Sequence, residues 1–220
     1  MRWPGARRVV LIVALVALGA PAPGAAAPAL VDAVLAAVGA APITASDVGL
    51  ARALGLFGFT PAAGPIGAAD VERLIRARLV VDETGRLDIG VDEAEVEVAW
   101  RALAERWGGG AALGGWLADN AVEPGWARRM LRDHLRYERF AELRFRAFVF
   151  VLEEDVSAAL GPGEHAPAAR ERARERLRSE IADRQLAEWL EEAAHRVPIR
   201  RLLSPKDAVP LPWPTPPHVS

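Results

Sequence analysis

The chain has 220 residues, 51% of them hydrophobic and 25% charged, with a formal net charge of −2. That is enough apolar material for one medium globular domain with a substantial core. No cysteine is present, and 26 of the 27 basic residues are arginine; disulfides, a thiolate nucleophile and cysteine-ligated metal are thereby excluded, and the arginine bias reads as base composition, not recognition chemistry.

Residues 1–26 have the pattern of a signal peptide. Arg2, Arg7 and Arg8 form a basic start, and an apolar run of about a dozen residues follows. Pro21, Pro23 and Gly24 break it, and cleavage after Ala26 would place Gly24 and Ala26 at the −3 and −1 positions. The run is shorter than the ~20 residues a membrane span requires. An uncleaved anchor is the competing reading; a lipoprotein is excluded because no cysteine exists to carry the lipid. Removing the three arginines takes the net charge from −2 to −5.

In the rest of the chain, residues 31–38 (VDAVLAAV) predict a strand, 39–42 a turn, and Ile43-Thr44 the start of a return strand. Thr44 with Asp47 predicts a capping box opening a helix that runs to Leu54. A Gly/Pro-rich loop follows through residue 67. In it Phe57 and Phe59 lack helical periodicity, and two readings stand: core tucked under the loop, or an exposed binding tip. Residues 70–83 predict a helix with Val71, Leu74, Ile75 and Leu79 on one stripe and Gly85 as its stop. After a brief extended link, Asp92 and Glu95 form a second capping box, opening a helix whose apolar face is Val96, Ala99, Trp100, Leu103 and Trp107. Gly108-Gly109-Gly110 ends it. That run is no phosphate loop, since no strand precedes it and no Gly-Lys-Ser/Thr follows. A short helix is expected over 113–119.

The stretch 124–152 (PGWARRMLRDHLRYERFAELRFRAFVFVL) predicts a long amphipathic helix of at least five turns. Trp126, Met130, His134, Tyr137, Ala141, Phe145 and Phe148, widened by Ala127 and Leu131, fall on its apolar side. Arg128, Arg129, Arg132, Arg136 and Arg139 fall opposite. From Phe148 to Leu152 the pattern becomes extended. Glu153, Glu154 and Asp155 open a short helix to Leu160, 161–167 is a linker, and 168–196 a second long helix. Leu177, Ile181, Leu186, Trp189, Leu190 and Ala193 make its apolar side, with Glu180 and Arg184 paired on its exposed face. Pro198 stops it, 199–203 predicts a strand, and 204–220, with six prolines, predicts a disordered or polyproline-like tail.

The opening VDAVLAAVGAAPITASDV closely resembles the start of the SurA family of periplasmic chaperones, in which a hairpin with a VxAVVNxxxIxxSD pattern leads into the first helix. The likeness continues through VERLIRARLVVDETGRLDIGVDEAEVEVAW and the long arginine-rich helix into FVFVLEEDVSAAL. It covers roughly residues 30–203 and rests on order and patterning, with Gly39 where the family usually has asparagine. It implies a mostly α fold with a small β element, like the SurA N-terminal domain. In that reading residues 27–203 form one domain: an N-terminal part over 30–160, then a C-terminal helix and strand over 168–203 that return to complete it. Family members also carry parvulin-type prolyl isomerase domains, for which the linker 161–167 leaves no room.

The function implied by the resemblance is ATP-independent binding of unfolded or newly translocated outer-membrane proteins, or other extended polypeptides, in the periplasm. An apolar groove would do this without catalytic residues, cofactors or metal. Leu56, Phe57, Phe59, Trp107 and Trp116 are its candidate lining, and each is equally compatible with ordinary core. Two alternatives stand beside it: a prolyl isomerase of the same family, and an accessory subunit of an envelope assembly complex. Nucleic acid is not expected as a partner. The mature chain would be acidic, Asp133, Glu138 and Glu142 neighbour the arginines, and a solvated face or one meeting an acidic surface of a partner accounts for them. The four histidines are scattered, and His134 reads as a packed or solvated helix residue. Oligomeric state is not legible.

Overall fold

The computed structural model describes residues 32–62, 64–160, 166–204 and 206–213; the expected signal peptide and residues 161–165 of the expected linker lie outside them. The described residues are mostly helical, with one small three-stranded antiparallel sheet. In chain order these are β1 (Val34–Val38), β2 (Ala41–Thr44), α1 (Ala45–Leu54), α2 (Ala68–Arg86), α3 (Glu93–Arg106) and α4 (Gly110–Asp119). Then come α5 (Pro124–Arg144), a 3₁₀ turn (Arg146–Phe148), α6 (Glu153–Ala159), α7 (Pro167–Arg196) and β3 (Ile199–Arg201).

The strand order is β2-β1-β3. β1 pairs with β2 through a two-residue turn that Gly39 enters at φ +58°, a left-handed conformation in which glycine carries no Cβ penalty. β3 returns from the far end of the chain to the other edge of β1, pairing Val38 with Ile199 and Ala36 with Arg201. Arg201 reinforces the return by bridging to Glu72 on α2, with Nη2 3.0 Å from Oε2. Leu35, Ala36, Ala37 and Val38 are buried in succession, as suits a central strand covered on both sides. α2 packs against both β1 and β2 and also touches α1, α5 and α7, which makes it the hub of the core.

Local chemistry sets the helix starts. Thr44 accepts from the Asp47 N–H while the Asp47 carboxylate accepts from the Thr44 N–H, and Asp92 and Glu95 do the same for α3. At the C-terminus of α1, Gly55 turns left-handed at φ +66°. Gly85, by contrast, does not stop α2. The helix continues to Arg86, held by Thr84 Oγ1 donating to the Val81 carbonyl at 2.7 Å, and the Leu87 N–H closes it on Glu83. Gly114 and Gly115 are likewise helical, inside α4.

α5 ends sooner than its pattern predicts. Phe145 leaves helical geometry at φ −121° and ψ −60°, so Phe148 turns off the apolar face and is 73% exposed. The anchor in its place is Phe140, fully buried, with its ring 4.9 Å from Trp189 of α7 and 5.8 Å from Phe145. On α7 the buried positions include Ala182, Leu186, Leu190 and Ala193, and Glu180 meets Arg176 at 3.8 Å rather than Arg184. Glu153 of α6 joins Arg170 and Arg174, clamping the two helices together across the linker.

The tail departs furthest from expectation. Residues 205 and 214–220 of the expected tail lie outside the described residues; 206–213 are not disordered, since Val209 forms an antiparallel bridge with Ile66 and Trp213 packs against the core. Period-2 placement of Val209, Leu211 and Trp213 between prolines gives this stretch one apolar edge to set down. Among the described residues no helix is long and apolar enough to cross a membrane.

Candidate functional site

The five residues expected to line a groove are all core. Leu56 is 1% exposed, Phe57 7%, Phe59 6%, Trp107 5% and Trp116 7%, so none offers an open apolar lining. The reason lies in how the loop after α1 is tied down. Arg52, itself buried, donates to the carbonyls of Gly64 and Pro65 at 3.3 and 3.2 Å and faces Asp70 at 3.6 Å. Arg73 bonds the Gly58 carbonyl and lies over the Phe59 ring at 5.0 Å. Phe57 holds a left-handed φ of +53°, strained for a bulky residue, and its N–H donates to His134 Nδ1 at 3.2 Å. Of the two readings of Phe57 and Phe59, the structure selects the buried one.

Phe57 nevertheless lines two hollows. One, of about 250 Å³, lies against α2 and α5 beside Leu74, Val81, Trp126 and Met130. The other, of about 260 Å³, is bounded by Tyr137 and Leu186. His134 stacks edge-on to Phe57 with centroids 5.3 Å apart. Burial, with the nearby Arg106 charge, holds its pKa down at about 4 against the ordinary 6.5, so near neutrality it is an uncharged acceptor. Burial also raises the carboxyls of Asp133 and Glu138 above their ordinary range. No group of three or more His, Asp or Glu side chains among the described residues is placed to hold a metal ion.

The arginine face of α5 has partners inside the fold. Arg128 bonds Glu97 at 2.6 Å, and Arg132 and Arg139 bond Glu93 and Glu95. Arg128 also sits 4.6 Å above the Trp100 ring. Glutamates at i, i+2 and i+4 from the acidic start of α3 thus answer the basic stripe. Where the sequence pointed to solvent or to a partner's acidic surface, the acids that meet Arg128, Arg132 and Arg139 belong to the chain itself.

Exposed apolar surface occurs at a place the candidate set omitted. Beyond α5 and the 3₁₀ turn the chain is extended at Val149 and Leu152, and from Phe148 on its residues alternate between exposed and buried. Phe148 is 73% exposed, Phe150 89% and Leu152 58%, while Val149 is buried and Val151 partly so. The backbone N–H groups of Phe150 and Val151 have no acceptor among the described residues. The sequence placed an extended segment over 148–152, whereas Phe148 still belongs to the 3₁₀ turn; the open face was not legible, because five apolar residues in a row carry no alternation to read.

A second aromatic site surrounds Trp116. Its ring is 5.1 Å from Trp107 and 6.0 Å from Trp213, and Trp213 lies 5.9 Å from Trp126. The Trp116 Nε1 is buried without an acceptor. No family model matches the chain, and no curated protein matches it.

Proposed function

We propose that this chain is an ATP-independent periplasmic chaperone that holds unfolded or newly translocated outer-membrane proteins. The observation that carries the reading is the exposed apolar row Phe148, Phe150 and Leu152, which runs from the end of the 3₁₀ turn into a stretch where the Phe150 and Val151 N–H groups have no acceptor among the described residues. An exposed extended apolar edge costs a protein solubility and invites strand pairing, so a chain that keeps one has a use for it. Such an edge accepts a client strand through main-chain hydrogen bonds, while alternate apolar side chains add affinity with little demand on sequence. Outer-membrane strands, which alternate apolar and polar residues, suit that surface. Ordering the client keeps each contact weak and reversible, as a carrier without an energy source needs.

The resemblance of the chain to the SurA family and its signal-like start support the compartment and the class of client. In this reading the chain binds and does not catalyse, so prolyl isomerisation of a tetrapeptide, slow enough for modest catalysis to register, proceeds at its uncatalysed rate. The test is a photo-crosslinking residue in place of Phe150, offered an exported outer-membrane barrel protein before and after folding. Capture of the unfolded form alone is expected. Equal capture of the folded barrel, or of neither form, overturns the reading; a single folded envelope protein held tightly would establish the accessory-subunit alternative.

A further inference from the structure

Residues 209–213 lie across the domain as a strap. The Ile66 N–H donates to the Val209 carbonyl at 2.7 Å and the Val209 N–H to the Ile66 carbonyl at 3.0 Å. The chain then passes over α1 at Gly49, where a Cβ would come within 2.9 Å of Pro212 and 3.1 Å of the Trp213 ring. The Trp213 indole is set edge-to-face against Trp116 and Trp126. Glycine inside a helix is less favourable than alanine, and at position 49 the three atoms nearest the missing methyl all belong to the strap.

This attachment differs from core packing. Ile66 and Val48 are wholly buried, whereas Val209, Leu211, Pro212 and Trp213 are only half-buried and Pro210 is exposed. The strap is held by one backbone bridge, apolar side chains at alternate positions, and an indole in a notch. All three are contacts that an extended segment of another polypeptide carrying an aromatic residue can make. It also leaves the Trp116 Nε1–H buried and unpartnered, an imperfection that a ligand carbonyl at that point would remove.

We propose that the face formed by Gly49, Ile66, Trp116 and Trp126 is a peptide-binding site. Its ligand is an extended, proline-flanked, aromatic-bearing segment of an unfolded polypeptide, and residues 209–213 occupy it in cis. The proposal rests on the chaperone reading and locates a second, sequence-selective contact for the same clients. A short connection gives the strap an effective concentration in the millimolar range, so a free peptide meets a site that is mostly filled and binds with an affinity reduced by the open fraction.

The probe is a fluorescein-labelled peptide of residues 207–213, Asp-Ala-Val-Pro-Leu-Pro-Trp, titrated against the full chain. Trp213→Ala releases the strap and leaves the receiving face intact, so it binds at least about tenfold more tightly than the unsubstituted chain. Adding Gly49→Ala, which favours α1 but obstructs the path of the ligand, abolishes that gain. Should Trp213→Ala fail to fold, endoproteinase Lys-C cleaves the unsubstituted protein after Lys206, the chain's one lysine, and dilution of the nicked protein opens the site without substitution. Failure of every folded opened form to bind the peptide better than the closed chain overturns the proposal. If that happens while the closed chain still prevents client aggregation, the chaperone reading stands and the second site falls. If the peptide binds as predicted and no form prevents aggregation, the site stands and the chaperone reading falls.

Discussion

The Phe57 N–H donates to Nδ1 of His134 across 3.2 Å, tying a left-handed residue in the loop after α1 to the middle of α5. The bond requires a neutral imidazole, because a protonated ring has no lone pair to offer at Nδ1. Burial supplies that condition by holding the pKa at about 4. A histidine that sequence alone assigns to packing thus also satisfies the backbone of a strained loop residue.

The bond makes stability depend on pH in one direction. Above pH 6.5 both folded and unfolded chains carry a neutral ring and the bond contributes fully. Between pH 6.5 and 4 the unfolded chain takes up a proton that the fold excludes, so stability is lost as pH falls, by about 3 kcal/mol across the window. His134→Asn keeps an acceptor but cannot titrate. Denaturant unfolding at several pH values should therefore show the unsubstituted chain losing ground to the variant as pH falls. Taking the difference cancels the opposite contributions of Asp133 and Glu138, whose raised pKa values favour the fold in acid. Parallel curves would contradict the assignment.

Phe140 should be the most costly single truncation on α5. Its ring is fully buried between Phe145 and Trp189, and Phe140→Ala should cost about 3–5 kcal/mol. Leu143→Ala, three residues on but 53% exposed, should change unfolding by less than about 0.5 kcal/mol. Urea denaturation of the two variants measures the contrast.

The arginine stripe of α5 should become available to polyanions once its internal partners are neutralised. Replacing Glu93, Glu95 and Glu97 together with glutamine leaves Arg128, Arg132 and Arg139 without counter-charges. Exposed pairs contribute little to folding, so the melting temperature should barely move while retention on heparin shifts to higher salt. Unchanged retention would show that the acids of α3 do not mask the stripe.

The features legible in the sequence were those fixed by chemistry within a few residues. Thr44 with Asp47 and Asp92 with Glu95 gave helix starts because both partners of each box lie three positions apart, and Pro198 marked the end of α7 because proline cannot continue a helix. The individual helices followed from apolar periodicity, and the mostly helical fold with a small sheet from the resemblance to the SurA N-terminal domain. Non-local outcomes were hidden. Gly85 looked like a stop, but the residues around it bond well enough to carry the helix past. Phe57 and Phe59 are core in a loop held down by Arg52, Arg73 and His134, the last 77 residues from Phe57. Trp213 sat in a stretch whose six prolines spoke for an open tail, and nothing local pointed to Trp116 and Trp126. The open row at Phe148, Phe150 and Leu152 required knowing where α5 breaks, which Phe145 decides through its backbone.

The open row Phe148, Phe150 and Leu152 is proposed to hold unfolded chains. Its most direct measurement is light scattering from a denatured outer-membrane barrel protein diluted into buffer with increasing amounts of the full chain, unsubstituted or carrying Phe148→Ser, Phe150→Ser and Leu152→Ser together. All three side chains are exposed, so the variant should unfold at nearly the same denaturant concentration as its parent. The account predicts that the unsubstituted chain suppresses aggregation at roughly stoichiometric amounts, because capture needs only apolar surface, and that the variant loses most of that protection. Equal protection by both chains, or none from either, would contradict it.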